Sequence, residues 1–187
     1  TLYSSTSYFQ YKMQPMGYEY DLINDFAKSQ GLKLNIKVAE NPARLIEMLE
    51  AGEVDVVAYP IPINNKLKQE VIYCGREDIS SQVLIQRANK GDKLLTDVTQ
   101  LIDKNVYVKP NTKYSERLKN LDEELGGGIH IQKVENDSIA TEDLIEMVSL
   151  GEIPYTISDD NTARLNKTYY WNINVDLKVS FPQRSSW

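Results

Sequence analysis

Asn41-Pro42-Ala43-Arg44-Leu45-Ile46-Glu47-Met48-Leu49-Glu50-Ala51-Gly52-Glu53-Val54-Asp55-Val56-Val57-Ala58-Tyr59-Pro60 carries a helix followed by a strand. Asn41 is a good N-cap, and Pro42 suits the first helical position, where a missing N–H costs nothing. Leu45, Ile46, Met48 and Leu49 make one apolar face, and Gly52 stops the helix. Val54 to Tyr59 then reads as a buried strand. Upstream, Leu32, Leu34, Ile36 and Val38 alternate with Lys33, Asn35 and Lys37, the period of a half-buried strand. Before that, Gly17 opens a helix in which Tyr18, Leu22 and Phe26 recur at four-residue spacing, with Ile23 and Ala27 beside them. Gly31 ends it as a C-cap, where left-handed backbone suits glycine. Tyr3 to Ser7 reads as a strand end and loop. Strand, helix, strand, helix, strand predicts a parallel sheet covered by helices.

The second half repeats the plan. Asn105 to Val108 is a strand, and Asn111-Thr112 caps a helix to about Leu125. Gly126-Gly127-Gly128 turns into a strand from Ile129 to Val134. Thr141 caps a helix ending at Gly151, Tyr155 to Ser158 is a strand, and Asp160 or Asn161 caps a short helix through Asn166. Val175, Leu177 and Val179 alternate as a late strand. Leu45-Ile46-Glu47-Met48 recurs as Leu144-Ile145-Glu146-Met147, and Gly52-Glu53-Val54 recurs at the same offset as Gly151-Glu152-Ile153. The same element in the same place of each half predicts two lobes built alike, with a cleft between them. The strand ends Ala58-Tyr59-Pro60 and Ser158-Asp159-Asp160 are expected to face it, since ligands of open α/β sheets bind beyond the carboxyl ends of the strands. Ser81 to Gln86 reads as a crossover, with a return near Asp176 to Ser180. The expected lobes are 1–84 plus 177–187, and 85–176.

A chain of 187 residues predicts one domain or two small lobes. Twenty-one basic against 27 acidic residues give a net charge of −6, which argues against a nucleic-acid partner. No apolar run approaches the roughly 18 residues of a membrane span. Cys74 is the only cysteine, so no intrachain disulfide forms, and with His130 it cannot build a tetrahedral Cys/His zinc site. No metal or cofactor is expected. A Ser-His-Asp triad would need His130, which the alternation Ile129-His130-Ile131-Gln132 places on a solvent-facing strand position. Gly126-Gly127-Gly128 lacks the spacing and the following Lys-Ser/Thr of a phosphate loop.

Three stretches then carry a resemblance: Gly17-Tyr18-Glu19-Tyr20-Asp21-Leu22, Gly52-Glu53-Val54-Asp55-Val56-Val57-Ala58, and Gln82-Val83-Leu84-Ile85. Together the chain resembles the bacterial type 2 periplasmic solute-binding proteins, solute-binding family 3. The last third, with Gly151-Glu152-Ile153-Pro154-Tyr155-Thr156-Ile157-Ser158-Asp159, Leu165-Asn166, Tyr169-Tyr170, Pro182-Gln183 and Trp187, is similar to the regulatory domain of the membrane-bound lytic transglycosylases. The resemblance implies a two-lobed clamp, each lobe a mainly parallel sheet flanked by helices, that closes on a small ligand. It implies a periplasmic or cell-envelope location, with membrane anchoring through a removed N-terminal segment. It also implies that relatives continue past the position of Trp187 with a further lobe-1 helix and a lysozyme-like catalytic domain that cleaves peptidoglycan. On this reading the chain itself is not an enzyme.

One departure matters. Amino-acid-binding members of the family carry an arginine for the ligand α-carboxylate, and that position falls on Leu67 in Asn64-Asn65-Lys66-Leu67-Lys68. An apolar side chain cannot make the bidentate pair, and Lys66 or Lys68 offers only a point charge. Asp159 matches the family's acid that meets a ligand ammonium; its other role would be to cap the following helix, as would that of Asp160. Asn111 and Thr112 begin a helix whose free N–H groups suit an anion, besides serving as an ordinary cap. Tyr8, Phe9, Tyr11 and Tyr18 cluster near the first strand end among 12 tyrosines, whose flat bodies and polar tips suit a sugar or peptide. Tyr18 also has the spacing of helix core. Ser5, Thr6 and Ser7 are hydroxyl donors or turn formers. Tyr59 and Pro60 line the cleft or pack, and Arg76 is a cation that could replace the missing arginine or stay solvated.

Three functions follow. The first is a sensor module of an envelope lytic transglycosylase, binding a peptidoglycan-derived peptide or muropeptide. The second is the receptor of an importer for an amino acid or similar small polar solute. The third, a dehydratase of the cyclohexadienyl type, needs a positioned acid and base, and only Asp159 offers itself.

Overall fold

The computed structural model describes residues 1–4, 7–136 and 139–187. The chain forms two compact units: Thr1–Asp78 with Arg184–Trp187, and Ile79–Gln183.

In the first unit, strands β1 (Phe9–Tyr11) and β2 (Gln14–Met16) form an antiparallel hairpin, Phe9 opposite Met16. Lys12 and Met13 turn it with φ of 48° and 64°, the two left-handed residues of a tight hairpin turn. Helix α1 (Tyr18–Ser29) follows. Its inward row is Glu19, Ile23 and Ala27; the row Tyr18, Leu22 and Phe26 expected to face the core is exposed. Both rows have the same four-residue period, so spacing alone does not choose between them. Helix α2 (Pro42–Glu50) starts as expected, the Asn41 side chain accepting the Arg44 N–H at 3.0 Å. Leu45 and Met48 point inward to join Ala39, Val57 and Ile61 in the core.

The expected strands at 32–38 and 54–59 do not form ladders. Leu2 bridges Ala39 in parallel, and the Lys37 ammonium donates to the Glu53 carbonyl at 2.9 Å. Between these points a hollow of about 250 Å³, lined by Leu34, Ile36, Val54 and Val57 together with Ile23 of α1 and Met48 of α2, lies where backbone pairing was expected. β3 (Ile61–Pro62) pairs antiparallel, as β1 does with β2, with the terminal strand β10 (Gln183–Ser186), Ser185 opposite Pro62. Between them in sequence come α3 (Leu67–Glu70) and β4 (Asp78–Ser80), and the sheet order is β3-β10-β4.

The second unit is built on β5 (Gln82–Arg87). Then come β6 (Asn105–Val108), α4 (Lys113–Glu124), β7 (His130–Lys133), α5 (Thr141–Leu150), β8 (Tyr155–Asp159), α6 (Asp160–Lys167) and β9 (Ile173–Asn174). The sheet order is β7-β6-β8-β5-β9, with β6 parallel to β7 and β8, and β5 antiparallel to β8 and β9. Alternation along β5 serves both faces. Leu84 joins Val106, Val108, Leu118, Leu121 and Ile157 under α4, while Val83 and Ile85 join Leu144, Ile145, Val148 and Ala163 under α5 and α6. His130 is exposed and Ile129 buried, as the alternation predicts.

The units meet the chain at 78/79 and 183/184 rather than at 84/85 and 176/177. β5 pairs with β8 from Gln82 onward, and Val179 N–H donates to the Gln82 carbonyl at 2.9 Å, so both stretches belong to the second sheet. The late strand is shorter than its alternation suggests: past β9 it touches β5 through the Val83–Lys178 bridge. At α5 the cap is Ala140, not Thr141, with the Asp143 carboxylate accepting the Ala140 N–H at 2.6 Å.

Candidate functional site

In the second unit the crossover from β6 through α4 leads to β7 on one side, and the crossover from β7 through α5 returns to β8 on the other. The chain therefore changes direction between β6 and β8. In open α/β sheets the carboxyl ends of strands at such a point make the crevice that ligands occupy. The exit of β6 and the last residue of β8 meet there.

At the β6 exit, Asn111 has a left-handed φ of 55°, which asparagine tolerates, and Thr112 is the N-cap of α4. Thr112 Oγ1 accepts the Ser115 N–H at 3.3 Å and donates to the Lys109 carbonyl at 2.8 Å, while Ser115 Oγ accepts the Thr112 N–H at 3.2 Å. This reciprocal box fixes the first turn of α4 and with it Lys113 and Tyr114. Lys113 Nζ donates to Asp159 Oδ2 at 2.5 Å, and the Tyr114 hydroxyl donates to the same oxygen at 3.2 Å. Lys113 Nζ also lies 5.4 Å from the Tyr114 ring centroid. The pair is mostly removed from water, with 28% of the Lys113 and 20% of the Asp159 side chain exposed.

Asp159 sits at the N-cap position of α6, yet its side chain makes no capping hydrogen bond. Asp159 thus takes the cap position expected of Asp160 or Asn161, but without a capping side-chain bond. Asp160 is the first helical residue and is tied to β5, its carboxylate accepting the Ser81 N–H at 3.3 Å and its own N–H donating to the Ser81 carbonyl at 2.9 Å. Lys113 and Tyr114 thus meet Asp159, and the expected Asn111 and Thr112 directly precede them in the chain. Sequence reasoning missed Lys113 and Tyr114. The available signal was their position, directly after the helix cap at the exit of β6.

In the first unit, Ser7 and Tyr8 are both buried. The Ser7 carbonyl accepts the Tyr20 N–H at 3.1 Å, and the Tyr8 ring packs edge-on to Tyr20 at 5.9 Å. The Tyr8 hydroxyl accepts from Gln10 at 3.2 Å. Tyr18 is 69% exposed, so it is not core. Tyr59 and Pro60 are half-buried, Tyr59 packing against the cluster of Leu45 and Met48. Arg76 is exposed. Leu67 packs against the same core, with Lys66 and Lys68 exposed on either side, so the position of the expected arginine is a packing position. Ser5 and Thr6 lie outside the described residues.

Glu19 was not singled out as a site residue. Only 8% exposed, it sits in the first turn of α1; its Oε2 has no hydrogen-bond partner among the described residues, and its carboxyl shares a side-chain hydrogen bond with Trp187. Burial pushes its pKa up, and the Trp187 bond offsets part of that. Among the described residues no group of His, Cys, Asp and Glu could hold a metal ion, and no helix is long and apolar enough to cross a membrane.

Two α/β units joined by two chain crossings, one with a polar cluster at the direction change of its sheet, define a ligand-binding module of the type 2 periplasmic class. Solved structures share this fold. An ancestral arginine-binding protein bound to arginine matches with a TM-score of 0.74 at 18% identity, over 97% of this chain and 79% of that one. The arginine-, lysine-, histidine-binding protein ArtJ from Geobacillus stearothermophilus matches with a TM-score of 0.71 at 20% identity, over 98% and 75%. The chain belongs to the bacterial extracellular solute-binding proteins, family 3, whose family model matches residues 2–168. It is also similar to membrane-bound lytic murein transglycosylase F. The protein of that name from Desulfosudis oleivorans is 31% identical over 188 residues, and that from Pseudomonas fluorescens 27% over 186. Each match takes in 98% of this chain but only 39% and 37% of the relative.

Proposed function

We propose that this chain is the non-catalytic sensor module of a cell-envelope lytic transglycosylase, binding a peptidoglycan-derived peptide or muropeptide in the periplasm. The observation that carries this reading is the match to transglycosylase F over 98% of the chain. A second supports it: Leu67 packs against the core, so the place where an arginine would hold a free amino acid's carboxylate offers no guanidinium for a bidentate pair, only the point charges of Lys66 and Lys68 beside it. Binding is assigned to the second unit's cluster of Asn111, Thr112, Lys113, Tyr114 and Asp159, with Ser7, Tyr8, Tyr18, Tyr59, Pro60 and Arg76 as the first unit's candidates. The catalytic partner is a lysozyme-like domain of the same polypeptide.

Receptor duty for an amino-acid importer is the second reading, favoured by structural neighbours whose names state arginine binding. Calorimetric titration separates the two. A peptidoglycan stem peptide is expected to bind more tightly than an unrelated peptide of equal length and charge, and more tightly than any free amino acid. Equal affinity for stem and unrelated peptides would sink the sensor reading, and a free amino acid binding tightest would put the importer reading first.

A further inference from the structure

Among the described residues, Asp159 is the acid at the end of a strand that borders the direction change between β6 and β8. A mostly buried carboxylate in such a crevice needs a cation, because an unpaired charge there is costly. A ligand ammonium could supply it. Here the chain supplies it instead: Lys113 Nζ lies 2.5 Å from Asp159 Oδ2, and the Tyr114 hydroxyl takes a second bond to that oxygen. The reciprocal cap at Thr112 and Ser115 holds the backbone that carries Lys113, so the cation is part of the built site rather than a loose surface side chain.

We propose that Lys113 is a built-in counter-ion that sets specificity, making the site prefer a ligand whose nitrogen is acylated over the same ligand with a free ammonium. This rests on the sensor reading and names the ligand class within it: N-acylated peptides, to which a stem peptide still joined to its muramyl group belongs. A free ammonium arriving at Asp159 would have to expel Lys113 or sit beside it, and two like charges in a part-buried site repel. An amide brings no charge. Its carbonyl can accept from one of the ammonium N–H groups that Lys113 does not spend on Asp159.

The test uses the full chain and two peptides of one stem sequence, one with a free N-terminus and one N-acetylated, titrated by calorimetry. The acetylated peptide is expected to bind roughly tenfold more tightly. In Lys113→Gln the preference is expected to vanish or reverse, because Asp159 is then free to meet an ammonium; Lys113→Arg is expected to keep it. A wild-type protein that binds both peptides equally, or the free amine more tightly, overturns the inference and leaves the sensor reading standing. So does a Lys113→Gln variant that loses affinity for both while keeping their ratio. If neither peptide binds, the sensor reading itself falls, and the inference with it. The wild-type ratio needs no variant, so the proposal remains open to refutation even if Lys113→Gln folds poorly.

Discussion

Glu19 carries a measurable consequence of its burial. Its folded-state pKa is raised above the ordinary carboxylate value, so the folded protein holds that proton more tightly than the unfolded chain does. Its contribution to stability is therefore full below the unfolded pKa and is lost as pH rises through the folded one. Thermal melts across that window are expected to fall more steeply in the wild type than in Glu19→Gln, which has no proton to lose. Superimposable pH profiles would refute this. Glu77 and Glu124, lowered by hydrogen bonds from Arg184 and Arg117, act with the opposite sign, losing their contribution as pH falls, and they cancel in the comparison. Gly17 makes the other residue-scale point. At φ 131° an added Cβ would stand 2.3 Å from the Ser7 carbonyl oxygen. Gly17→Ala is expected to cost at least about 2 kcal/mol in urea denaturation; a loss within experimental error would contradict the geometry. Of these residues, Gly17 was legible as a helix start. Glu19 was not, because a charged residue next to a tyrosine looks like an exposed first turn until tertiary contacts turn the helix.

At the scale of elements, caps were the most legible signal and strands in the first unit the least. Asn41, Thr112 and Gly151 sit where their side chains or backbone freedom predict, because a cap is decided by bonds to the next few residues. Thr112→Ala is expected to destabilise by about 1 kcal/mol, as the loss of a helix cap does. It should also weaken the bound ligand, since α4 then holds Lys113 less firmly; chemical denaturation and titration of the same variant check both. The stretches 32–38 and 54–59 have strand period but no ladder, because pairing depends on a neighbour that local sequence does not specify. Asp159 shows the same limit. Its place at a strand end was readable, while its partner Lys113, 46 positions away in sequence, was not.

For the molecule as a whole, the two-part α/β plan followed from the repeated helix at Leu45–Met48 and Leu144–Met147, which in each unit buries its first leucine: Leu45 at 2% exposure and Leu144 at 1%. Leu144→Ala is expected to cost about 2–5 kcal/mol by leaving a cavity beneath α5, read from the shift of a denaturation midpoint. The ligand class lies further from the sequence, since it depends on which charges meet in space. Its central test is a thermal-shift panel on the purified chain with free amino acids, stem peptides and muropeptides. A ligand at about 100 times its dissociation constant adds roughly 2.7 kcal/mol of stability, enough to move the melting temperature visibly. The account expects that shift with muropeptides and N-acylated stem peptides and none with free amino acids; a shift with a free amino acid and none with the peptidoglycan fragments would contradict it.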